Sequence, residues 1–448
     1  MSNITIVGGG LVGSLLAVFL AKRGHSVSVY ERRGDPRKTD VYAGRSINLV
    51  VSHRGWTALR AAGLEDAVKQ ITVPVYARMT HDRDGRLNRV PYSIDNRAIW
   101  SVSRGELNRR LLSEAEKHPN VKLLFDHKCV DVDLEHATCR FDAGTCVKEV
   151  RSDVVFGSDG AFSAVRQKMM QGRFTYSQEY IEHDYKEVAF PANADGTPKM
   201  DPQCLHIWPR RYFMLMGLAN QDGGFTGTLF MPNTHTENAP GFDTVKTEDQ
   251  VKSFFKEHFA DAMSLVPDIV QQYLRNPQSS LAIIRCNPWT VNGKVALIGD
   301  AAHAIVPFYG EGMNAGYEDC KVLNDLLNEH GDDNWPAVLA AYGKARKPNG
   351  DAIADLSLRN FIEMRDLVAD PKFLLRKKIE GHLQAKHPDQ WLPLYSQVKF
   401  SDIQYKDAWK EGLRHDRIME EVLAMPGIEQ KWESAEVERR VMELVARA

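Results

Sequence analysis

A glycine motif close to the N-terminus constrains the fold of this 448-residue chain more than any other feature. A β-branched run, the sequence GGGLVG at residues 8–13, an apolar helical segment and a second apolar run ending at Glu31 follow one another without interruption. This order is typical of the βαβ dinucleotide-binding unit, whose glycines allow a tight turn and close approach of a pyrophosphate, and whose acid binds a ribose hydroxyl. The motif predicts a bound dinucleotide and leaves open which one. The residues predicted to hold it are Gly8, Gly10, Gly13 and Glu31.

A second motif lies near residue 300, where an apolar run stops at Asp300 and a loop with two glycines leads into a helix. An aspartate at a strand end can accept hydrogen bonds from sugar hydroxyls, and Gly310 and Gly312 let the backbone approach a flat ring. The free N–H groups of Gly312, Met313 and Asn314 would direct partial positive charge at a docked anionic group, such as a reduced flavin. An ordinary strand-to-helix connection is the alternative.

The composition narrows the class of protein. With 43% apolar and 26% charged residues the chain is typical of globular proteins, and its length predicts two or three domains. The 57 basic and 59 acidic residues are interleaved, which argues against nucleic acid as the main partner. Six cysteines without C-x-x-C spacing predict neither a disulfide framework nor a metal site. Without a signal peptide or an apolar run of about eighteen residues, we expect a soluble, cytoplasmic protein.

The order of the segments predicts an α/β fold in three parts. A Rossmann-like cofactor-binding domain would be interrupted by a substrate-binding β-sheet domain, because residues 175–285 contain strand-like runs separated by polar loops. A C-terminal α-helical region would complete the substrate pocket. The predicted boundaries are residues 1–70, 98–175 and 286–346 for the cofactor domain, 71–97 and 176–285 for the sheet domain, and 347–448 for the helical region.

Three signals stand in one order along the chain: the N-terminal glycine motif with Glu31, the sequence DG at residues 159–160, and the glycine loop after Asp300. Together they resemble the single-component, FAD-dependent aromatic hydroxylases, the group A flavoprotein monooxygenases, over most of residues 1–350. The resemblance implies that FAD lies across the first domain. The positions it assigns are Gly8, Gly10 and Gly13 to the pyrophosphate, Glu31 to the adenosine ribose, Arg45 to the cofactor, Arg104 and Asp300 to phosphate and ribityl groups, Asp159 to the flavin and a transiently bound nicotinamide, and Gly312, Met313 and Asn314 to the flavin ring.

At a finer level, residues 44–49 (GRSINL), 205–209 (LHIWP), 306–308 (VPF) and 360–365 (NFIEMR) are similar to the members of this family that act on L-kynurenine. The similarity implies hydroxylation to 3-hydroxy-L-kynurenine with NADPH and O₂ through a flavin hydroperoxide, a step of tryptophan catabolism by the kynurenine pathway and of NAD biosynthesis. Eukaryotic members carry a C-terminal membrane anchor, and we expect a soluble enzyme of the bacterial type here. No catalytic acid or base is predicted. NADPH against NADH, and monomer against homodimer, stay open.

The resemblance also assigns a substrate site. Its polar positions, for the amino-acid end of the substrate, are Arg78, Tyr92 and Asn360. Its other positions, mostly apolar as an aniline ring requires, are Met216, Leu218, Phe230, Pro307, Phe308, Met364 and Tyr395.

The residues by themselves support this site only in part. Asn360 lies within an apolar stripe at helical spacing, so its amide needs a partner, which is either a ligand or the backbone of the core. A strict two-residue turn at residues 84–85 (DG) would pair Arg78 with Pro91 and leave Tyr92 on the opposite face of the hairpin. A bulge or an early strand end would be needed for both side chains to reach one ligand.

The chain also departs from the bacterial members of the family. Tyr309, Gly310 and Glu311 stand where those proteins have histidine, glycine and glutamine, which puts any proton role of that histidine in doubt. Two alternatives therefore stand beside the main hypothesis. One is a FAD-dependent hydroxylase of another aromatic acid of the hydroxybenzoate or salicylate type, and the other is a flavoprotein without monooxygenase activity.

Overall fold

The computed structural model describes residues 1–38, 47–93, 95–367 and 370–447. Its strands are, in chain order, β1 (Asn3–Val7), β2 (Ser26–Tyr30), β3 (Leu49–Val51), β4 (Val73–Val75), β5 (Ala77–His81), β6 (Leu87–Pro91), β7 (Ile99–Val102), β8 (Val121–Leu124), β9 (Lys128–Asp133), β10 (Thr138–Asp142), β11 (Val147–Arg151), β12 (Val154–Gly157), β13 (Thr175–Phe190), β14 (Cys204–Pro209), β15 (Met214–Ala219), β16 (Phe225–Pro232), β17 (Ser279–Asn287), β18 (Thr290–Val291) and β19 (Val295–Leu297).

The helices are α1 (Leu11–Lys22), α2 (His53–Ala62), α3 (Glu65–Lys69), α4 (Arg104–Glu116), α5 (Ala164–Met169), α6 (Glu248–His258), α7 (Ala260–Leu265), α8 (Ile269–Arg275), α9 (Asp300–His303), α10 (Gly312–His330), α11 (Trp335–Ile362), α12 (Pro371–Lys386), α13 (Leu394–Phe400), α14 (Tyr405–Leu423), α15 (Ile428–Lys431) and α16 (Ala435–Arg447). Pro307–Tyr309 forms a turn of 3-10 helix before α10, and Glu363–Leu367 forms a π-helical turn after α11. No helix within the described ranges is long and apolar enough to span a bilayer.

A six-stranded sheet in the order β18-β19-β12-β1-β2-β8 is the centre of the first part of the fold. Its strands are parallel except for β18, and β1 and β12 are almost continuously apolar, as expected of strands covered on both faces. The helices α1 and α10 pack in the same hydrophobic core. Because the strands are parallel, the residues that follow β1, β2, β12 and β19 all meet at one edge of the sheet, where ligands of such folds bind.

A seven-stranded, mostly antiparallel sheet in the order β17-β13-β16-β15-β14-β5-β6 forms the second part. The hairpin of β5 and β6 joins it through parallel pairing of β5 with β14. Strands on the two sides of the second cofactor-binding segment, residues 98–175, therefore build one sheet. Within residues 71–97, β4 does not join this sheet and pairs instead with β7, in a small sheet with β3.

Helices α11 to α16 form the third part. Helix α11 extends over 28 residues, and its C-terminal half packs against the seven-stranded sheet and the turn at Pro307–Tyr309. Helices α12, α14 and α16 share a core of their own, which includes Ile379, Ile418 and Val441. The architecture confirms the predicted fold class of a Rossmann-like domain with an inserted sheet and a C-terminal helical region.

Candidate active site

One cavity of about 780 Å³ lies where the three parts of the fold meet. It extends from the carboxyl edge of the six-stranded sheet to the face of the seven-stranded sheet, and the π-helical turn after α11 and helix α13 close it from the C-terminal side. The predicted residues that line it are Gly8, Gly10, Glu31, Arg104, Asp159, Asp300, Gly312 and Met313 at one end, and Arg78, Tyr92, Met216, Leu218, Phe230, Pro307, Phe308, Met364 and Tyr395 at the other.

The three glycines of the N-terminal motif have different roles. Gly8 has a positive φ of 107°, and a Cβ there would lie 2.3 Å from the carbonyl oxygen of Ser158. A Cβ on Gly10 would meet no atom of the described residues within 4 Å, because this residue faces the open cavity at the start of α1. The contact of Gly13 with the cofactor stays a prediction, and the structure gives this residue a role in packing. It does not line the cavity, and its missing Cβ, which would lie 2.1 Å from the Gly8 carbonyl oxygen, lets α1 pack on β1.

Glu31 follows β2 at the same edge of the sheet and is 6% exposed. Its Oε2 accepts a hydrogen bond from the Gly9 N–H at 3.0 Å, and its Oε1 accepts from the Arg33 N–H and Nε at 3.0 and 2.8 Å. A carboxylate has about four lone-pair sites, so Glu31 can still accept a hydrogen bond from a ribose hydroxyl in the cavity.

Asp159 lines the cavity, and one of its carboxylate oxygens has no hydrogen-bond partner among the described residues. Its Oδ2 accepts from the Ala164 N–H at 2.7 Å, whereas its Oδ1 is buried without a hydrogen-bond partner in the described part of the chain. Burial raises the pKa of this carboxyl group. A buried oxygen without a partner is costly, and a hydroxyl or amide N–H of a ligand would satisfy it.

Arg104 and Asp300 lie at helix starts that face the cavity. Arg104 is the first residue of α4, which Ser103 caps by accepting from the Glu106 N–H at 3.5 Å. Asp300 is exposed at the start of the short helix α9, directly after β19 and Gly299. Arg45, also predicted to contact the cofactor, lies outside the described residues.

The glycine loop between the 3-10 turn and α10 borders both ends of the cavity. Gly310 has a left-handed backbone with φ 66°, and α10 begins at Gly312, so the N–H groups of its first turn have no acceptor within the helix. Gly312 and Met313 line the cavity, but Asn314 does not. The Asn314 side chain holds the loop instead, since its Oδ1 accepts from the Ser52 N–H at 3.1 Å and its Nδ2 donates to the Gly310 carbonyl at 2.9 Å.

This end of the cavity fits FAD on features of the chain itself. An open glycine at the start of a helix suits a pyrophosphate, and the Glu31 carboxylate suits a ribose. Asp159 Oδ1 lacks a hydrogen-bond donor among the described residues. The first turn of α10 offers partial positive charge to the electron-rich edge of a flavin.

At the other end, the β5–β6 hairpin brings Arg78 and Tyr92 onto one face, which the strict two-residue turn had excluded. The observed register pairs Arg78 with Val90, and the Tyr92 N–H donates to the Tyr76 carbonyl at 3.0 Å. The turn prediction is wrong because the loop holds three residues, 83–85, with Gly85 left-handed at φ 77°. One extra loop residue shifts the pairing by one and turns Tyr92 to the side of Arg78.

Arg78 lies beside a stacked pair of aromatic rings. Its guanidinium carbon is 5.4 Å from the ring centroid of Tyr92 and 5.0 Å from that of Tyr395, and these two rings are stacked at 5.4 Å. Arg78 Nε is buried without a hydrogen-bond partner in the described ranges. Burial raises the pKa of Tyr92 and of Tyr395, so both phenols stay neutral at physiological pH. The group offers a fixed cation with neutral donors beside it, which suits a carboxylate.

The walls beside this cation are apolar. Met216 and Leu218 are two residues apart on β15 and therefore share one face, and Phe230 of β16 packs against Phe308 at a centroid distance of 4.9 Å. Met364 reaches the cavity from the π-helical turn after α11. These side chains could enclose an aromatic ring.

The Asn360 amide finds its partner in the backbone of the core, one of the two alternatives that its place in an apolar stripe left open. It is 5% exposed and does not line the cavity. Its Nδ2 donates to the Phe308 carbonyl at 2.7 Å and lies 3.3 Å from Met364 Sδ. The amide therefore ties α11 to the 3-10 turn as a core side chain, and its contact with the substrate stays a prediction.

Sequence reasoning missed a buried lysine in the cavity wall. Lys399 of α13 is 1% exposed, and its Nζ lies 2.6 Å from Glu311 Oε1. Lysines are almost never buried without a partner, so a single lysine in a helix carries no signal of this kind. The one available signal was the unusual acid at position 311.

A second missed group lies behind the glycine loop. Asp319 of α10 is fully buried, and its Oδ2 accepts from the Gly299 N–H at 3.1 Å and lies 2.6 Å from His303 Nε2. Its Oδ1 accepts from Arg346 Nε at 2.6 Å. Burial alone would raise the pKa of Asp319, but His303 and Arg346 outweigh it and hold the pKa below its usual range. This network fixes the backbone that places Asp300.

Fold and site together define a FAD-binding monooxygenase of the aromatic hydroxylase class. The profile of the FAD binding domain family matches residues 1–357. Among solved structures, 2-methyl-3-hydroxypyridine-5-carboxylic acid oxygenase is similar with a TM-score of 0.67 and 18% identity, covering 82% of this chain and 94% of its own. The p-nitrophenol 4-monooxygenase of Pseudomonas putida has the same TM-score and identity and covers 91% and 98%. At this identity the two structures support the fold alone.

Curated sequences give the finer assignment. The kynurenine 3-monooxygenase of Christiangramia forsetii is 48% identical over 99% of this chain and 98% of its own length. That of Flavobacterium johnsoniae is 47% identical over the same shares, and that of Sus scrofa is 40% identical over 91% of this chain and 86% of its own. The chain belongs to the kynurenine 3-monooxygenase family. The predicted class of enzyme, a FAD-dependent aromatic monooxygenase, and FAD as its cofactor are confirmed.

Proposed function

We propose that this protein hydroxylates L-kynurenine to 3-hydroxy-L-kynurenine with NADPH and O₂. In this reaction one oxygen atom enters the aromatic ring, the other leaves as water, and NADPH supplies the two electrons. The observation that carries the proposal is the position of Arg78, a buried cation beside the stacked rings of Tyr92 and Tyr395, at the far end of the cavity that holds the FAD-binding residues. Relatives across bacteria and eukaryotes carry the corresponding name.

The residues of this end of the cavity would bind and orient the substrate. Arg78 would pair with the α-carboxylate, with Tyr92 and Tyr395 as neutral donors beside it. The apolar walls formed by Met216, Phe230 and their neighbours would hold the aniline ring and exclude water. The carbon ortho to the aromatic amine is already nucleophilic, so the protein would contribute position rather than a strong base.

At the other end, bound FAD would supply hydride acceptance and O₂ activation. The chain contributes the free N–H groups at the start of α10, which would stabilise negative charge on a bound flavin without reorganisation. We assign NADPH rather than NADH to the rim at Asp159 and Gly160 as a transient ligand, in accord with the family.

The remaining proposals concern the whole chain. The predicted domain division accords with most of the sheet pairing. It gives residues 1–70, 98–175 and 286–346 to FAD, 71–97 and 176–285 to the substrate sheet, and 347–448 to the helical region.

We propose a cytoplasmic enzyme, because all six cysteines are free thiols, five of them buried, as suits a reducing compartment. The functional unit is a monomer or a homodimer.

The test is oxidation of NADPH by the purified FAD-loaded protein, with and without L-kynurenine, and with the product identified by chromatography. We expect strong stimulation together with 3-hydroxykynurenine, and weaker activity with NADH. Stimulation without a hydroxylated product would make kynurenine an effector and another aromatic acid the substrate. No stimulation of a protein that holds FAD would overturn the kynurenine proposal and leave the fold standing.

A further inference from the structure

Lys399 and Glu311 form a buried ion pair in the wall of the cavity. The Nζ of Lys399 donates to Glu311 Oε1 at 2.6 Å and to the Gly310 carbonyl at 3.3 Å, and the two side chains are 2% and 0% exposed. Both Lys399 and Gly310 line the cavity. The cation therefore contacts the glycine loop itself and binds α13 of the C-terminal region to it.

Glu311 is held from the other side as well. Its Oε2 accepts from Tyr405 Oη at 2.6 Å and from Ser52 Oγ at 3.2 Å, and its Oε1 also lies 3.4 Å from Asn314 Nδ2. With both oxygens engaged, the carboxylate points away from the cavity and into the protein. Its charge nevertheless stays directly behind the first turn of α10, where an anion would oppose the partial positive charge of the free N–H groups.

The pair is needed because neither charge is tolerated there alone. A buried carboxylate or ammonium without its partner is costly, and the field of an unpaired charge in such a place is weakly screened. Burial lowers the pKa of Lys399, and Glu311 opposes this effect. Arg78 is a further cation that acts on Lys399, and the buried Arg54 is one that acts on Glu311. Tyr309 contributes its ring at 6.0 Å from Lys399 Nζ.

We propose that Lys399 is a positioning residue for the flavin. It neutralises Glu311 and holds the Gly310 carbonyl, so that the N–H groups at the start of α10 present net positive potential to the isoalloxazine ring. Compared with an unpaired Glu311, Lys399 thereby raises the reduction potential of bound FAD. This inference concerns the FAD site alone and does not depend on the identity of the substrate.

The experiment compares the reduction potential of bound FAD in the wild type, in Lys399→Met and in the double variant Lys399→Met/Glu311→Gln, by titration against a reference dye without any substrate. In the single variant the unpaired carboxylate should lower the potential by about 30 mV or more, equivalent to about tenfold in the two-electron equilibrium. The double variant, which carries neither charge, should return most of the way to the wild type. A single variant with an unchanged potential, or a double variant shifted as far as the single one, would overturn the proposal.

Two further variants keep the test decisive. Lys386→Met removes an exposed ion pair with Glu438, 2.7 Å long, from the C-terminal helices and should leave the potential unchanged. If Lys399→Met does not fold, Glu311→Gln at pH 6 provides the test. In this variant the unpaired Lys399 cation should raise the reduction potential of bound FAD. An unchanged potential would contradict the proposal. If the variants shift the potential as expected and the wild type does not turn over L-kynurenine, only the proposed substrate is refuted.

Discussion

Arg78 depends on the length of a three-residue loop for its place in the cavity. Gly85 closes this loop with a left-handed backbone, and the resulting register sets Tyr92 on the same face as Arg78. Nothing in the alternation of the two strands distinguishes this register from one shifted by a residue, because both faces of the hairpin contain polar and apolar side chains. The insertion or deletion of one residue in this loop would therefore change which side chains reach the substrate end of the cavity.

We expect Arg78→Ala to raise the KM for L-kynurenine about 100-fold, equivalent to about 2.7 kcal/mol, because removal of one partner of a buried charge pair costs about 2–5 kcal/mol. FAD should remain bound, since Arg78 lies at the opposite end of the cavity. Steady-state kinetics and FAD absorbance measure both effects. The control is Arg83→Ala, in the exposed hairpin loop. An unchanged KM in Arg78→Ala would remove this residue from the carboxylate site.

The glycines of the N-terminal motif give a second prediction for single residues. Gly13→Ala would place a Cβ 2.1 Å from a backbone oxygen, so α1 must shift, and we expect the FAD-free protein to lose about 2 kcal/mol of stability. Gly10→Ala meets no atom of the part of the chain that the structure describes and should keep the stability of the FAD-free protein, but its methyl group projects into the cavity and should weaken FAD binding at least about tenfold. Thermal unfolding and FAD titration distinguish the two. Equal stability losses would contradict this assignment.

At the scale of elements, the C-terminal helices are joined by buried charges as well as by their apolar core. Asp416 of α14 binds Arg359 of α11 at 2.7 Å and Arg376 of α12 at 2.8 Å. Glu380 of α12 binds Arg376 at 2.7 Å and Lys377 at 3.1 Å. These contacts hold α11, α12 and α14 together, and α11 in turn packs against the cavity wall.

Glu380 makes the stability of this helical region depend on pH. Burial alone would raise its pKa, but Lys377 and Arg376 outweigh burial and lower the pKa from 4.5 to about 2. A depressed pKa contributes stability above the unfolded value and loses it as pH falls toward the folded value, here between about pH 5 and pH 2. The shift corresponds to about 3 kcal/mol.

We therefore expect Glu380→Gln to lower the free energy of unfolding at pH 7 by up to about 3 kcal/mol and to reduce the loss of stability between pH 5 and pH 3. Urea unfolding followed by circular dichroism at several pH values measures both. Glu436→Gln, which removes an ion pair on a carboxylate that is 65% exposed, should change little. A wild-type stability that does not fall over this pH range would show that the ion pairs of Glu380 contribute nothing.

At the scale of the whole molecule, the cavity belongs to none of the three parts of the fold alone. The glycine loop borders both ends, so FAD at one end should order the wall of the other. We predict that removal of FAD weakens L-kynurenine binding at least about tenfold, measured by calorimetry on the FAD-free and FAD-loaded proteins. Saturating FAD at about 100 times its Kd should stabilise the fold by about 2.7 kcal/mol and raise the Tm. Equal kynurenine affinities with and without FAD would contradict this coupling.

Local patterns were enough to predict which residues lie together at the FAD end of the cavity, and their contacts with FAD stay predictions. The glycines, Glu31, Asp159 and Asp300 directly follow strands or loops whose order is legible along the chain, and parallel strands bring their carboxyl ends to one edge whatever else the fold contains. The exception is Gly13, whose role in helix packing depends on a neighbour that the motif does not name.

The amino-acid sequence by itself thus determined the fold class, the FAD-binding edge and the apolar character of the substrate pocket. Only the tertiary structure decided the register that unites Arg78 with Tyr92, the use of Asn360 as a core amide, and the pairing of Lys399 with Glu311. The physical reason is distance along the chain. Periodicity and turn chemistry act over a few residues, whereas the contact between Glu311 and Lys399 joins positions 88 residues apart. The effect of a buried charge also depends on its partner, which the sequence does not identify.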